Sequence, residues 1–174
     1  MTITLKWCLL GRMKESQHPL WSCWCSRWDF VYVAWGQWGR FGLSLLEGTL
    51  FLNWALRAFG VKIGKRVYLG SGSAQVVDPD LLHFDDECTI MNHFQAHSFE
   101  DRVLKNAPVY VGKRSTIGFG AVVLYGAHIG DDSYIHPQSV VMKKEVILNK
   151  SVSIGAPIES VKACLLYTSP SPRD

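Results

Sequence analysis

Histidine takes and gives a proton near neutrality, and this chain has six: His18, His83, His93, His97, His128 and His136. His97 stands out by its company. Glu100 and Asp101 follow it by three and four residues, near enough in sequence for a carboxylate to orient one ring nitrogen while the other acts as a general base. Arg102 and Lys105 come next. They offer cations to the phosphates of a cofactor, or they pair with Glu100 and Asp101 on a solvated loop. His93 lies four residues before His97, on the same face if both belong to one strand. It is the second candidate base, and Asn92-His93 could instead support the site from behind. His97 itself could do no more than anchor its loop. Three histidines can hold zinc, but His93, His97 and His128 lack a metal-site spacing, and no metal is expected. No glycine-rich phosphate loop and no Ser-His-Asp order is present.

The elements that must hold His97 are written in sixes. Val111, Ile117, Val123, Ile129, Ile135 and Val141 are six apart without a break. Two places before them stand Val109, Ser115, Ala121, Ala127, Ser133 and Ser139. Residues two apart share a face of a strand, so both sets point inward and the rest turns a corner. Gly112, Gly118 and Gly130 follow an aliphatic residue and suit the corner if it needs positive φ. Short strands joined this way stack as a solenoid. The expected fold is mainly β: a left-handed parallel β-helix of triangular section, an exception to right-handed crossovers.

The phase starts at Val61, with Ile63-Gly64 and Leu69-Gly70. Ser71 to Pro79 breaks it and reads as an inserted turn. Phe84, Ile90 and Ala96 resume it, and residues 97–108 leave it again as a loop long enough to be functional. Residues 61–161 are thus the β-helix. Residues 1–60 hold all seven tryptophans and read as an aromatic helical segment. One helix is expected between Leu20 and Trp38, ended by Gly36 or Gly39. A second runs from Leu50 to Phe59, with Thr49 as cap, Gly60 as stop and a stripe of Leu50, Phe51, Trp54, Ala55 and Ala58. This segment either covers an open end of the coil or lies at a membrane surface.

The aliphatic-Gly-x-x-small-x pattern, with Ser151-Val-Ser-Ile-Gly-Ala-Pro157 as its ending, resembles the hexapeptide-repeat acyltransferases. Outside the repeat, His18-Pro-Leu-Trp-Ser22, Gly48-Thr49 with Asn53-Trp54, His97-Ser-Phe-Glu-Asp-Arg-Val103 and Val122-Val-Leu-Tyr125 are similar to the terminal region of epsilon-poly-lysine-synthetase-like proteins. The resemblance covers most of residues 5–161. It implies an acyltransferase-type domain, the terminal part of a peptide-synthetase-like protein, that forms an amide from a thioester-bound acyl or aminoacyl group. A stand-alone acetyl-CoA-dependent acetyltransferase and a non-catalytic trimerisation or docking domain remain open. It implies His97 as base beside its loop, in a site between subunits of a homotrimer. The acyl donor would be coenzyme A or a phosphopantetheine thioester, carrier-bound in the second case, and no cofactor is held tightly. It also implies a cytoplasmic location at the inner face of a membrane, as part of a larger protein.

Charge and composition exclude other classes. The formal charge is +3 and the basic residues are scattered, which leaves no nucleic-acid footprint. Phe41 to Phe59 is interrupted by Glu47, Asn53 and Arg57, so no run reads as a membrane span. Cys164 to Asp174 lacks repeat phase and looks like translated sequencing-adapter sequence. The remaining cysteines, Cys8, Cys23, Cys25 and Cys88, have no zinc spacing and read as reduced thiols.

Overall fold

The six-residue repeat folds as its spacing demands. A computed structural model describes residues 1–161, with His93 and Val161 as backbone alone; the segment Cys164 to Asp174 lies outside the described residues. The chain opens with α1 (Thr2–Leu9), β1 (Ser16–Pro19), α2 (Cys23–Ala34), a π turn (Trp35–Gly39), α3 (Arg40–Ser44) and α4 (Leu50–Phe59). The coil begins with β2 (Lys62–Ile63), β3 (Tyr68–Leu69), β4 (Leu82–Phe84), β5 (Thr89–Ile90) and β6 (His93–Gln95). A hairpin of β7 (His97–Glu100) and β8 (Val103–Asn106) interrupts it. It continues with β9 (Val109–Val111), β10 (Thr116–Ile117), β11 (Val122–Leu124), β12 (His128–Ile129), β13 (Tyr134–Ile135), β14 (Val140–Val141), β15 (Val146–Ile147) and β16 (Val152–Ile154), and β17 (Glu159–Val161) closes it.

Three parallel sheets form the walls of a left-handed β-helix. Val111 pairs with Ile129 and Ile129 with Ile147, so one circuit takes 18 residues, or three sixes. Ile117, Val123, Ile129, Ile135 and Val141 are fully buried, and so are Ser115, Ala121, Ala127, Ser133 and Ser139. The buried serines are satisfied across coils, as where Ser115 Oγ donates to the Gly130 carbonyl at 2.7 Å. On the third wall Val123 pairs with Phe94, not Ala96. Phe94 fills the aliphatic slot by tilting against Phe84, ring centroids 4.9 Å apart.

The corner glycines work differently from the expectation. Gly112, Gly118 and Gly130 do not have positive φ; the left-handed residues are Arg114, Asp132, Gln138, Lys144 and Lys150, with Gly120 and Gly126. A Cβ on Gly112 would lie 2.8 Å from the Asp131 nitrogen, and one on Gly118 would lie 2.5 Å from the Pro137 nitrogen. These glycines are required because successive coils approach too closely for a side chain.

The later part of residues 1–60 shares a core with the coil, while Met13, Cys25 and Trp28 form a second cluster with Leu104 of the hairpin. Leu52, Leu56 and Phe59 of α4 pack with Val61, Val67 and Leu69. Asn53 Nδ2 donates to the Val67 carbonyl at 2.8 Å, and Arg57 donates to the carbonyls of Ile63 and Gly64. The helix therefore covers carbonyls at the open end of the first coil. Gly60 stops α4 as expected, with φ 128°, but Thr49 donates to the Leu46 carbonyl and does not cap. The expected stripe is also wrong. Leu50, Phe51 and Trp54 are exposed, because α4 is apolar on two faces and only docking selects one. The earlier helix runs on through both Gly36 and Gly39. Gly39 is there to admit the ring of Trp35, whose nearest carbon would be 2.7 Å from a Cβ.

Candidate functional site

The segment between β3 and β4, expected as an inserted turn, is largely buried, at Ser73, Ala74, Val76 and residues 78–80. Four side chains clamp it. Glu47 Oε1 accepts from the nitrogens of Gly72 and Ala74 at 3.0 and 3.1 Å. Trp35 Nε1 donates to the Ala74 carbonyl at 3.1 Å. Trp28 Nε1 donates to Asp78 Oδ1 at 2.8 Å, and His97 Nδ1 lies 2.6 Å from Asp78 Oδ2. Three of the four come from residues 1–60, so the aromatic segment positions a carboxylate inside the molecule.

Asp78 is 1% exposed and His97 7%. A carboxylate only accepts hydrogen bonds, so Nδ1 carries a hydrogen, and in the neutral ring Nε2 keeps its lone pair. The His97 ring is held edge-on by Trp28 and Phe99, with centroids 4.8 and 5.5 Å away. His97 lines a cavity of about 190 Å³ with Tyr32, Gln75, Val77, Phe94 and Gln95. The arrangement is an imidazole with one nitrogen fixed by a buried acid, on a residue that lines a cavity, and a neutral imidazole so held can accept a proton.

The acids expected beside His97 are elsewhere. Glu100 accepts from Lys143, from Lys105 Nζ at 3.0 Å and from Ser98 Oγ at 3.0 Å. Lys143, then Lys105, hold its carboxyl down at about 2, and Glu100 in turn raises Lys105. Lys105 is thus engaged with Glu100. Asp101 and Arg102 form the exposed hairpin turn, with φ 53° and 62°. They are separated from His97 because β7 runs outward before the chain turns. The loop of residues 97–108 is this hairpin, made three-stranded by β1, which pairs with β8. His93 begins β6, in the coil wall, whereas His97 begins β7 in the hairpin sheet. The strand breaks between them, so four-residue spacing does not place them on one face. His128 is exposed near Tyr110. Among the described residues no group of three His, Cys, Asp or Glu side chains is arranged for a metal ion.

Sequence reasoning missed Asp78, Trp28, Tyr32, Gln75 and Gln95. The one signal was Asp78-Pro79-Asp80 inside the phase break. Both acids are buried and serve different partners. Asp80 lies 2.5 Å from Lys6 Nζ and accepts from the Met13 nitrogen at 3.1 Å. Lys6 is fully buried, and burial lowers its pKa against the pull of Asp80.

No protein-family profile matches the chain. It is 33% identical over 163 residues to delta-poly-L-ornithine synthetase of Acinetobacter baumannii; the match takes 88% of this chain and 12% of that protein. The fold is that of the hexapeptide-repeat acetyltransferases. A hexapeptide-repeat acetyltransferase of Vibrio cholerae O1 biovar eltor, complexed with acetyl coenzyme A, superposes with TM-score 0.60 at 15% identity, over 93% of this chain and 98% of that one. Galactoside acetyltransferase in complex with coenzyme A superposes with TM-score 0.59 at 14% identity, over 81% and 84%. No helix among the described residues is long and apolar enough to cross a membrane.

Proposed function

Because the chain has the hexapeptide-repeat acyltransferase fold, we propose that it transfers an acyl group from a thioester to an amine, with His97 as general base and Asp78 as the residue that orients it. The supporting observation is the Trp28–Asp78–His97 chain, which ends at the cavity. The amine nitrogen attacks the thioester carbonyl, forming the C–N bond. His97 Nε2 takes the amine proton. The C–S bond breaks and the thiolate leaves, taking that proton back from the imidazolium. Asp78 stabilises the charge that His97 acquires, as a buried carboxylate does behind a catalytic histidine.

The coenzyme A complexes of like-folded proteins support a coenzyme A thioester as donor. The likeness to a poly-ornithine synthetase supports an amino acid or peptide amine as acceptor, in a chain that forms one part of a larger synthetase. A carrier-bound phosphopantetheine donor belongs to the same reading. A homotrimer with the site at a subunit boundary suits a solenoid with three flat walls. Exposed Trp21 (92%), Leu45 (80%) and Phe41 (78%) support a membrane-facing or partner-facing surface on the helical segment.

The test is turnover of an amine with acetyl-CoA and, separately, with a carrier-bound aminoacyl thioester. His97→Ala should lower turnover by roughly 10²- to 10⁴-fold and leave donor affinity nearly unchanged. Wild-type turnover in this variant would remove His97 as base.

A further inference from the structure

The cavity at His97 does not end there. It shares Tyr32, Gln75 and Val77 with a second cavity of about 260 Å³ that continues past Val33, Trp35, Gly36 and Gln37 to Arg40. The two form one groove along α2, the π turn and the start of α3. Tyr32, Val33, Gly36, Gln37 and Arg40 recur at helical spacing and line one side. Gly36 leaves the wall open, with no heavy atom within 4 Å of the place a Cβ would occupy.

Among the apolar side chains of Val33, Trp35, Val77 and Phe94 the groove carries three carboxamides and one guanidinium. Gln37, Gln75 and Gln95 each offer a donor and an acceptor, and their side chains make no hydrogen bond among the described residues. Arg40 makes no ion pair among the described residues either. A row of free carboxamides suits a ligand with repeated amide groups, and a free guanidinium at the far end suits a carboxylate.

Length selects the ligand. Tyr32 and Arg40 are eight residues apart, about 12 Å along a helix at ~1.5 Å per residue. An extended peptide covers at most ~3.6 Å per residue, so about four residues are needed to span the groove and a single amino acid does not reach across it. We infer that the groove binds the acyl acceptor as a short extended oligopeptide, its amine at His97 and its terminal carboxylate at Arg40, which makes Arg40 a specificity-determining residue. This rests on the acceptor reading of His97 and adds to it the acceptor's length and charge.

Calorimetric binding without acyl donor tests the groove independently of catalysis. The probes are L-ornithine, tetra-ornithine with a free carboxylate, and tetra-ornithine carboxamide, each titrated into the whole chain and into Arg40→Gln. The free-acid tetrapeptide should bind wild type about tenfold more tightly than the carboxamide does, and Arg40→Gln should erase that difference. L-Ornithine should bind both proteins alike, and the carboxamide should too, which shows that the variant is folded. Equal binding of acid and carboxamide to wild type overturns the proposal. So does failure of either tetrapeptide to bind, or a loss of L-ornithine affinity in Arg40→Gln as large as the free-acid tetrapeptide's. If instead the binding pattern holds while His97→Ala retains full turnover, the groove stands and the base assignment falls.

Discussion

Asp78 has two oxygens with different duties, and the difference predicts how an amide would behave in its place. Trp28 Nε1–H needs an acceptor at Oδ1. In Asp78→Asn the amide oxygen must therefore face Trp28, and its NH₂ must face His97 Nδ1. An N–H pointing at Nδ1 forces the ring hydrogen onto Nε2, where a base needs a lone pair. If His97 is the base, Asp78→Asn should therefore lower turnover by roughly 10²-fold or more, as the wrong tautomer does behind a catalytic histidine. Donor affinity should be unchanged. Turnover and donor binding on the same sample check this; activity within threefold of wild type would show that Asp78 does not set the tautomer. Cys88, a further buried titratable group of the coil, is pushed up to about 11, chiefly by burial, and is an inert thiol at neutral pH.

At the scale of the element, corners and hairpin respond differently to substitution. Gly112→Ala sets a Cβ against the next coil, which cannot move aside because Lys113 N is bonded to Asp131 Oδ1 at 2.8 Å. It should cost about 2 to 3 kcal/mol. Asp131→Asn should cost under about 1 kcal/mol, since Asn149 does the same task one coil later, accepting from the Asp131 nitrogen at 2.9 Å. Ile129→Asp, a charge without a partner inside the coil, should cost at least about 4 kcal/mol. Chemical denaturation of the three variants checks the order, and similar midpoints for Ile129→Asp and Asp131→Asn would contradict the inward phase. The hairpin has a pH signature. Its folded carboxyl at Glu100 sits at about 2, below the ordinary 4.5, so the group stabilises above pH 4.5 and that contribution is lost as pH falls toward 2. The protection of the β7 and β8 amides, relative to the intrinsic exchange rate at each pH, should fall as pH drops through this window in wild type. Glu100→Gln should exchange faster at pH 6 and depend less on acid, and parallel pH profiles would remove Glu100 from the hairpin's anchor.

For the whole molecule, the helices leave Phe41, Leu45, Leu50, Phe51 and Trp54 exposed on the outside of the first coil. Light scattering at micromolar concentration should show a trimer, in keeping with three flat walls and closed symmetry. Replacing Phe41 and Leu45 together by Ser should raise solubility and leave the mass unchanged, because those residues lie on the helical segment and not on the walls. A monomer in both proteins would take the subunit-boundary site out of the reading.

The six-residue period determined the coil without help. Inward aliphatics and small residues at fixed spacing have one arrangement that buries both, and the 18-residue register follows from it. The period also determined where the coil is interrupted, hence that His97 stands at the root of a projection. It could not determine what meets His97. Glu100 and Asp101 are near in sequence but point away along an outward strand, while Asp78 is 19 residues distant and reaches the ring because the chain folds back between α2 and the coil. Nor could it choose the buried face of α4, apolar on two sides, or give the reason for Gly112 and Gly118, which lies in the neighbouring coil. Periodicity reports on residues that repeat; a site assembled from a phase break, a tryptophan on a helix and a histidine on a hairpin has no period, and only tertiary packing brings it together.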